Sequence, residues 1–65
     1  MLDTRRRLEE LRRERVLAQM TPLGREPAYM SDLDEEIVAT EAAYVASVVT
    51  EIAALRADLG QRPVG

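Results

Sequence analysis

Sixty-five residues with no Cys, no His and a net charge of −3 allow one small domain at most. The disulfides and His/Cys metal sites that usually staple chains of this length are excluded. Oligomerisation or docking onto a partner is what remains to complete a core. All nine basic residues are Arg and Ala is abundant, which fits a GC-rich coding source better than selection for Arg chemistry. Charge is unevenly placed, +2 over residues 1–20 and −5 over residues 21–65. Oppositely charged halves favour an antiparallel hairpin or head-to-tail contact between copies. The start is charged with no apolar stretch behind it. The longest uncharged run, Ala42 to Thr50, is well short of the ~20 residues of a spanning helix. Neither a signal peptide nor a membrane span is expected, and the default compartment is the cytoplasm or a particle assembled there.

A first helix is predicted over about residues 3–20. Asp3 or Thr4 caps it by accepting from the unpaired amides of the first turn. Leu8, Leu11 and Ala18 line one side with the stem of Arg15 between them, while Leu17 and Met20 point elsewhere. Asp3–Arg7 and Glu9–Arg13 stand four apart in the favoured acid-first order, each worth about 0.2–0.5 kcal/mol.

Thr21 to Pro27 breaks this helix. Pro22 biases Thr21 away from helical backbone, and Gly24 and Pro27 punctuate the loop. The predicted loop, residues 21–31, is longer than the ~2–8 residues of a plain helix–helix turn. Its apolar members Leu23, Tyr29 and Met30 mark it as ordered and packed.

The second helix is predicted over about residues 32–59. Ser31 serves as its N-cap, and Asp32, Asp34, Glu35 and Glu36 in its first turn complement the helix dipole. Gly60 and Pro63 stop it, leaving a tail over 60–65. At about 28 residues it spans ~42 Å. Val45 to Thr50 has strand propensity but sits inside an unbroken helical period and reads as helix.

This helix holds more apolar surface than the first can cover. Val38, Val45, Val48, Ile52, Leu55 and Leu59 recur by threes and fours and form the expected docking stripe. Beside them Ala39, Ala42, Ala46, Ala53 and Ala57 make a smooth face open to close approach by another helix. A helix apolar on two adjacent faces needs two neighbours. Glu41 falls at a core position of the heptad through the stripe, where one polar residue can fix register.

Charged clusters have plain readings. The Arg-rich first helix, with Arg5, Arg6, Arg12 and Arg13 as its electrostatic contacts, is diluted by Glu9, Glu10 and Glu14. It lacks aromatics for base stacking, so nucleic acid is disfavoured as a ligand. The four acids near Ser31 are explained by the helix dipole without a metal. No nucleophile–base pair, phosphate loop or metal motif occurs, so neither enzymatic activity nor a cofactor is expected.

The stretch Ala43 to Gly60 resembles the closing helix of small proteins encoded among the virion-structure genes of tailed phages of actinobacteria. An Arg/Glu-rich first helix before such a closing helix is also similar to the lambda W-type head–tail joining proteins. That family carries a β-hairpin between its helices, and Thr21–Ser31 is too short and too Pro-rich to supply one. The resemblance implies a structural role in a capsid, connector or tail.

The sequence thus predicts an all-α chain of two helices joined by an ordered Pro/Gly loop, closed as a hairpin or laid out on a partner. Its expected role is structural, through docking of the long apolar helix on a capsid or connector protein of a tailed phage or on copies of itself. The alternative is a small regulatory adaptor that binds a host transcription or nucleic-acid protein through the Arg-rich helix.

Overall fold

The computed structural model describes residues 2–60. They form helix α1 (Leu2–Gln19), a 3-10 turn (Pro22–Arg25) and helix α2 (Pro27–Gly60). The chain is all-α, with two helices and no strand among the described residues. The expected stop at Pro63 and the tail beyond Gly60 lie outside the described residues. Gly60 itself is the last residue of α2.

The helices are antiparallel. Leu8 and Leu11 of α1 meet Leu33 and Ile37 of α2, with Tyr29, Met30 and Tyr44 packed around them. Glu14, near the end of α1, reaches Tyr29 near the start of α2, whereas Asp3 and Thr4 border Thr40 and Ala43. Leu11 is sealed at 1% exposure, and Ala18 is buried where α1 meets the turn.

Two boundaries differ from the sequence expectation. Helix α1 begins at Leu2, so Asp3 and Thr4 lie within its first turn and do not cap it. Helix α2 begins at Pro27, four residues before Ser31. The reason is Pro27 itself: proline cannot donate, its backbone angle is already helical, and the first helical position is where it costs least. Glu26 holds extended backbone and its carbonyl accepts the first helical bond from the Met30 amide at 3.0 Å. Ser31 is therefore interior, and so are the acids that follow it. The first turn of α2 contains no acid, so the dipole does not account for Asp32, Asp34, Glu35 and Glu36.

The connection is short and ordered by hydrogen bonds. The Thr21 hydroxyl donates to the Ala18 carbonyl at 2.9 Å and accepts from the Leu23 amide at 3.2 Å. The Gly24 amide donates to the Thr21 carbonyl at 3.1 Å. With the Met20 and Thr21 amides, which donate to the Leu17 and Ala18 carbonyls at 3.0 Å each, these bonds satisfy two of α1's last carbonyls and fold the 3-10 turn back onto its end. Tyr29 and Met30 do pack on the core, from the first turn of α2 instead of from a loop; Leu23 stays about half exposed.

α2 is nearly twice the length of α1, at 34 residues against 18. The hairpin core ends near Tyr44. From Val49 to Gly60 every residue is exposed, and this last third of α2 projects beyond α1 for about 18 Å.

Candidate docking surface

Cross-helix ion pairs fix the hairpin's register. Arg15 donates through Nε to Asp34 Oδ1 at 2.6 Å, Arg12 through Nη2 to Glu41 Oε2 at 3.3 Å, and Arg7 through Nη2 to Glu36 Oε1. Arg7 and Arg12 stand five residues apart, about 140° around the helix, so they reach α2 on opposite sides of the apolar seam. Tyr29 Oη donates to Glu14 Oε2 at 3.3 Å on the Arg7 side. Each ion pair is about half exposed, so it specifies geometry more than it stabilises.

These pairs redraw the expected electrostatics. The predicted Asp3–Arg7 and Glu9–Arg13 pairs are not made. Arg7 crosses to Glu36, and Glu9 forms an ion pair with Arg5 at 3.4 Å within α1. Of the expected contact residues, Arg12 bonds α2 and Arg5 stays within its own helix. Arg6 and Arg13 have no ion pair among the described residues. Arg7 and Arg15, outside the expected contact set, make the other two bridges. Their guanidinium pKa values are raised further by the hydrogen bonds to Glu36 and Asp34 and then by those charges. The Tyr29 phenol is raised chiefly by partial burial, then by the nearby Glu14 charge and the bond to it. The signal for the crossing pairs lay in spacing: Asp34, Glu36 and Glu41 are placed to meet Arg15, Arg7 and Arg12 once Leu11 faces Ile37.

The predicted stripe remains uncovered. Val38, Val45, Ile52, Leu55 and Leu59 are exposed, Val49 joins them, and Val48 is partly buried. α1 packs on Leu33, Ile37 and Tyr44; Val38, Val45 and Ile52 lie round the helix from that seam, whereas Leu55, about five whole turns beyond Ile37, continues the seam past the end of α1. The alanine face, Ala39, Ala42, Ala46, Ala53 and Ala57, is exposed throughout and α1 does not approach it closely. Only Ala39 borders the shallow groove beside Asp3 and Arg7. Thr40 and Thr50 donate to the carbonyls of Glu36 and Ala46 at 2.7 and 2.9 Å, and Ser47 donates to that of Tyr44 at 2.8 Å. These hydroxyls are thus satisfied within the helix, and the surface α2 presents is more apolar than its sequence.

By length and composition α2 is also long and apolar enough to cross a membrane. This differs from the expectation drawn from its longest uncharged run, because Glu41 and Glu51 interrupt an otherwise apolar stretch without ending it. Among the described residues no three Asp or Glu side chains converge as a metal site. Asp34 and Glu36 are drawn to opposite flanks by Arg15 and Arg7, which splits the acidic run. Comparison with protein-family models, characterised proteins and solved structures finds no match for the chain.

Proposed function

We propose that this chain is a non-enzymatic assembly protein that docks through the uncovered stripe of α2. The observation that carries the reading is a row of half- to two-thirds-exposed aliphatic side chains from Val38 to Leu59, extending about 32 Å with only Glu41 and Arg56 as charged residues on that face. Scattered exposed aliphatics are ordinary on soluble proteins, whereas an aligned row of this length marks an interaction surface. A protein partner fits better than a bilayer. Glu41 and Glu51 both lie inside the apolar stretch between Glu36 and Arg56, Glu51 with no ion-pair partner among the described residues, and acids there oppose insertion.

The specific setting proposed is the virion of a tailed phage, with a capsid or connector protein as partner and assembly in the host cytoplasm. This rests on the resemblance carried by Ala43 to Gly60. The adaptor reading is less favoured, because Arg7, Arg12 and Arg15 are engaged by the chain's own acids. The test is quantitative mass spectrometry of particles purified from the source, with parent, Ile52→Asp and Asp58→Ala chains compared. Fixed stoichiometry for the parent and Asp58→Ala, with loss of Ile52→Asp, supports the reading. Absence of all three from particles overturns the virion setting.

A further inference from the structure

The stripe of α2 contains its own complement. Between Val38 and Leu59 the sector of the helix that holds Val45, Ile52 and Leu59 includes only two charged residues, Glu41 and Arg56. They are placed almost symmetrically about the Val48–Val49 bond. From this we infer that the occupant of the stripe is a second copy of the chain, paired antiparallel with its two-fold axis between Val48 and Val49. The inference rests on the docking role proposed for α2 and names its partner.

In that register Val45 faces Ile52 of the other copy, Val38 faces its Leu59, and Val48 faces its Val49. Glu41 meets Arg56 of the other copy, and the symmetry repeats the contact at the far end, as a two-fold interface requires. Glu41 already accepts from Arg12, so its carboxylate would bridge two guanidinium groups. A parallel pairing would instead oppose Glu41 to Glu41 and Arg56 to Arg56, placing like charges in an apolar seam and disfavouring that alignment.

Coverage and area agree with this choice. The segment from Val49 to Gly60, which has no neighbour in the single chain, would lie along residues 37–48 of the other copy, where α1 leaves the stripe open. α1 packs on the side of Leu33, Ile37 and Tyr44 and meets the edge of the stripe through the Arg12–Glu41 bond. Val38, Val45, Val49, Ile52, Leu55 and Leu59 are 46–64% exposed. At on the order of 100 Å² each, two facing copies would remove about 1,000 Å² from water, the least a specific interface needs.

The chain has no cysteine, so introduced thiols report the register directly. Val45→Cys and Ile52→Cys chains are prepared separately, mixed and oxidised. The antiparallel register predicts that the mixture cross-links, while each variant alone does not, because identical positions would be offset by about 10 Å along the axis. A charge swap gives a second readout by sedimentation equilibrium. Glu41→Arg should weaken the dimer about 10-fold, and adding Arg56→Glu in the same chain should restore it to within about 3-fold. A parent chain that stays monomeric at ~100 μM overturns the inference, as does each variant cross-linking preferentially with itself. If the parent is monomeric while Ile52→Asp still blocks incorporation into particles, self-pairing fails and the docking reading stands.

Discussion

Arg15 and Asp34 meet across the hairpin at 2.6 Å, beside the buried contact of Leu11 with the α2 core. The pair joins a basic helix to an acid that local rules assign to a helix cap. It ties register to charge: sliding α2 by one turn would separate Arg15 from Asp34, Arg12 from Glu41 and Arg7 from Glu36 together. Because each pair is about half exposed, the expected coupling is small and salt-sensitive. A double-mutant cycle on Arg15→Ala and Asp34→Ala should show positive coupling at low salt that fades toward ~1 M NaCl. Coupling that persists undiminished at high salt would contradict this account.

The apolar seam should dominate hairpin stability. Leu11 is the most deeply buried large side chain. Leu11→Ala removes its packing and leaves a cavity, at a cost of about 2–5 kcal/mol. That is enough to unfold most of a 65-residue chain. Urea unfolding followed by circular dichroism should show this loss. Ile52→Ala, on the half of α2 that α1 does not reach, should leave the midpoint of dilute samples nearly unchanged.

Gly24 lies against the end of α1. A Cβ at this position would fall 2.8 Å from the Ala18 carbonyl oxygen and 2.9 Å from the Gln19 Cα. Both neighbours are backbone, so relief requires the turn to move away from α1. Gly24→Ala should destabilise the hairpin by about 1–3 kcal/mol, the usual cost of overpacking. A thermal melt unchanged from the parent would show that the turn does not press on α1.

The two halves of α2 should also differ in protection. An isolated helical segment of about 12 residues is marginal in water. Amides from Val49 to Gly60 should exchange quickly in dilute samples while those around Leu33 and Ile37 are slow. Protection of the distal half should rise with protein concentration, and overall helicity with it. Uniform protection at every concentration would mean that α2 is held without a partner.

Much of the hairpin is legible in the sequence. Leu8, Leu11 and Ala18 are readable as one face because helical periodicity survives any context. The Val38–Leu59 stripe is readable for the same reason. The start of α2 is less so: Ser31 followed by acids imitates a cap, and Pro27 at a first helical turn carries equal local weight. The core-facing role of Leu33, Ile37 and Tyr44 is hidden because α2 is apolar on several sides, and only the position of α1 selects one. The acids mislead for a related reason. A local rule assigns them to the dipole, whereas pairing with α1 is a long-range relationship that emerges only after the seam is aligned.

Tyr29 supplies a pH dependence of definite sign. Its folded-state pKa is raised, first by partial burial and then by Glu14, so the folded chain holds this proton to higher pH than the unfolded one. The contribution is present in full below the ordinary tyrosine value of about 10. It is lost as pH rises through the raised folded-state value. Stability should therefore decline at strongly alkaline pH, and Tyr29→Phe should reduce the decline. Tyr44→Phe serves as the control.

The Arg-rich helix should bind nucleic acid weakly. Arg7, Arg12 and Arg15 are engaged by Glu36, Glu41 and Asp34, and Arg5 by Glu9. That leaves Arg6 and Arg13 on the outer side of α1, seven residues apart and so in nearly one row. Two phosphate contacts would give a log–log salt slope of only about −2 for duplex DNA. The net negative charge of residues 21–65 would oppose even that approach. Titration of short duplexes at several salt concentrations should show weak affinity, a shallow slope and no sequence preference. Arg6→Ala combined with Arg13→Ala should abolish the remaining binding. Sub-micromolar, sequence-selective affinity at physiological salt would reverse the argument: the cross-helix pairs would have to open to release their arginines, and the regulatory reading would replace the structural one.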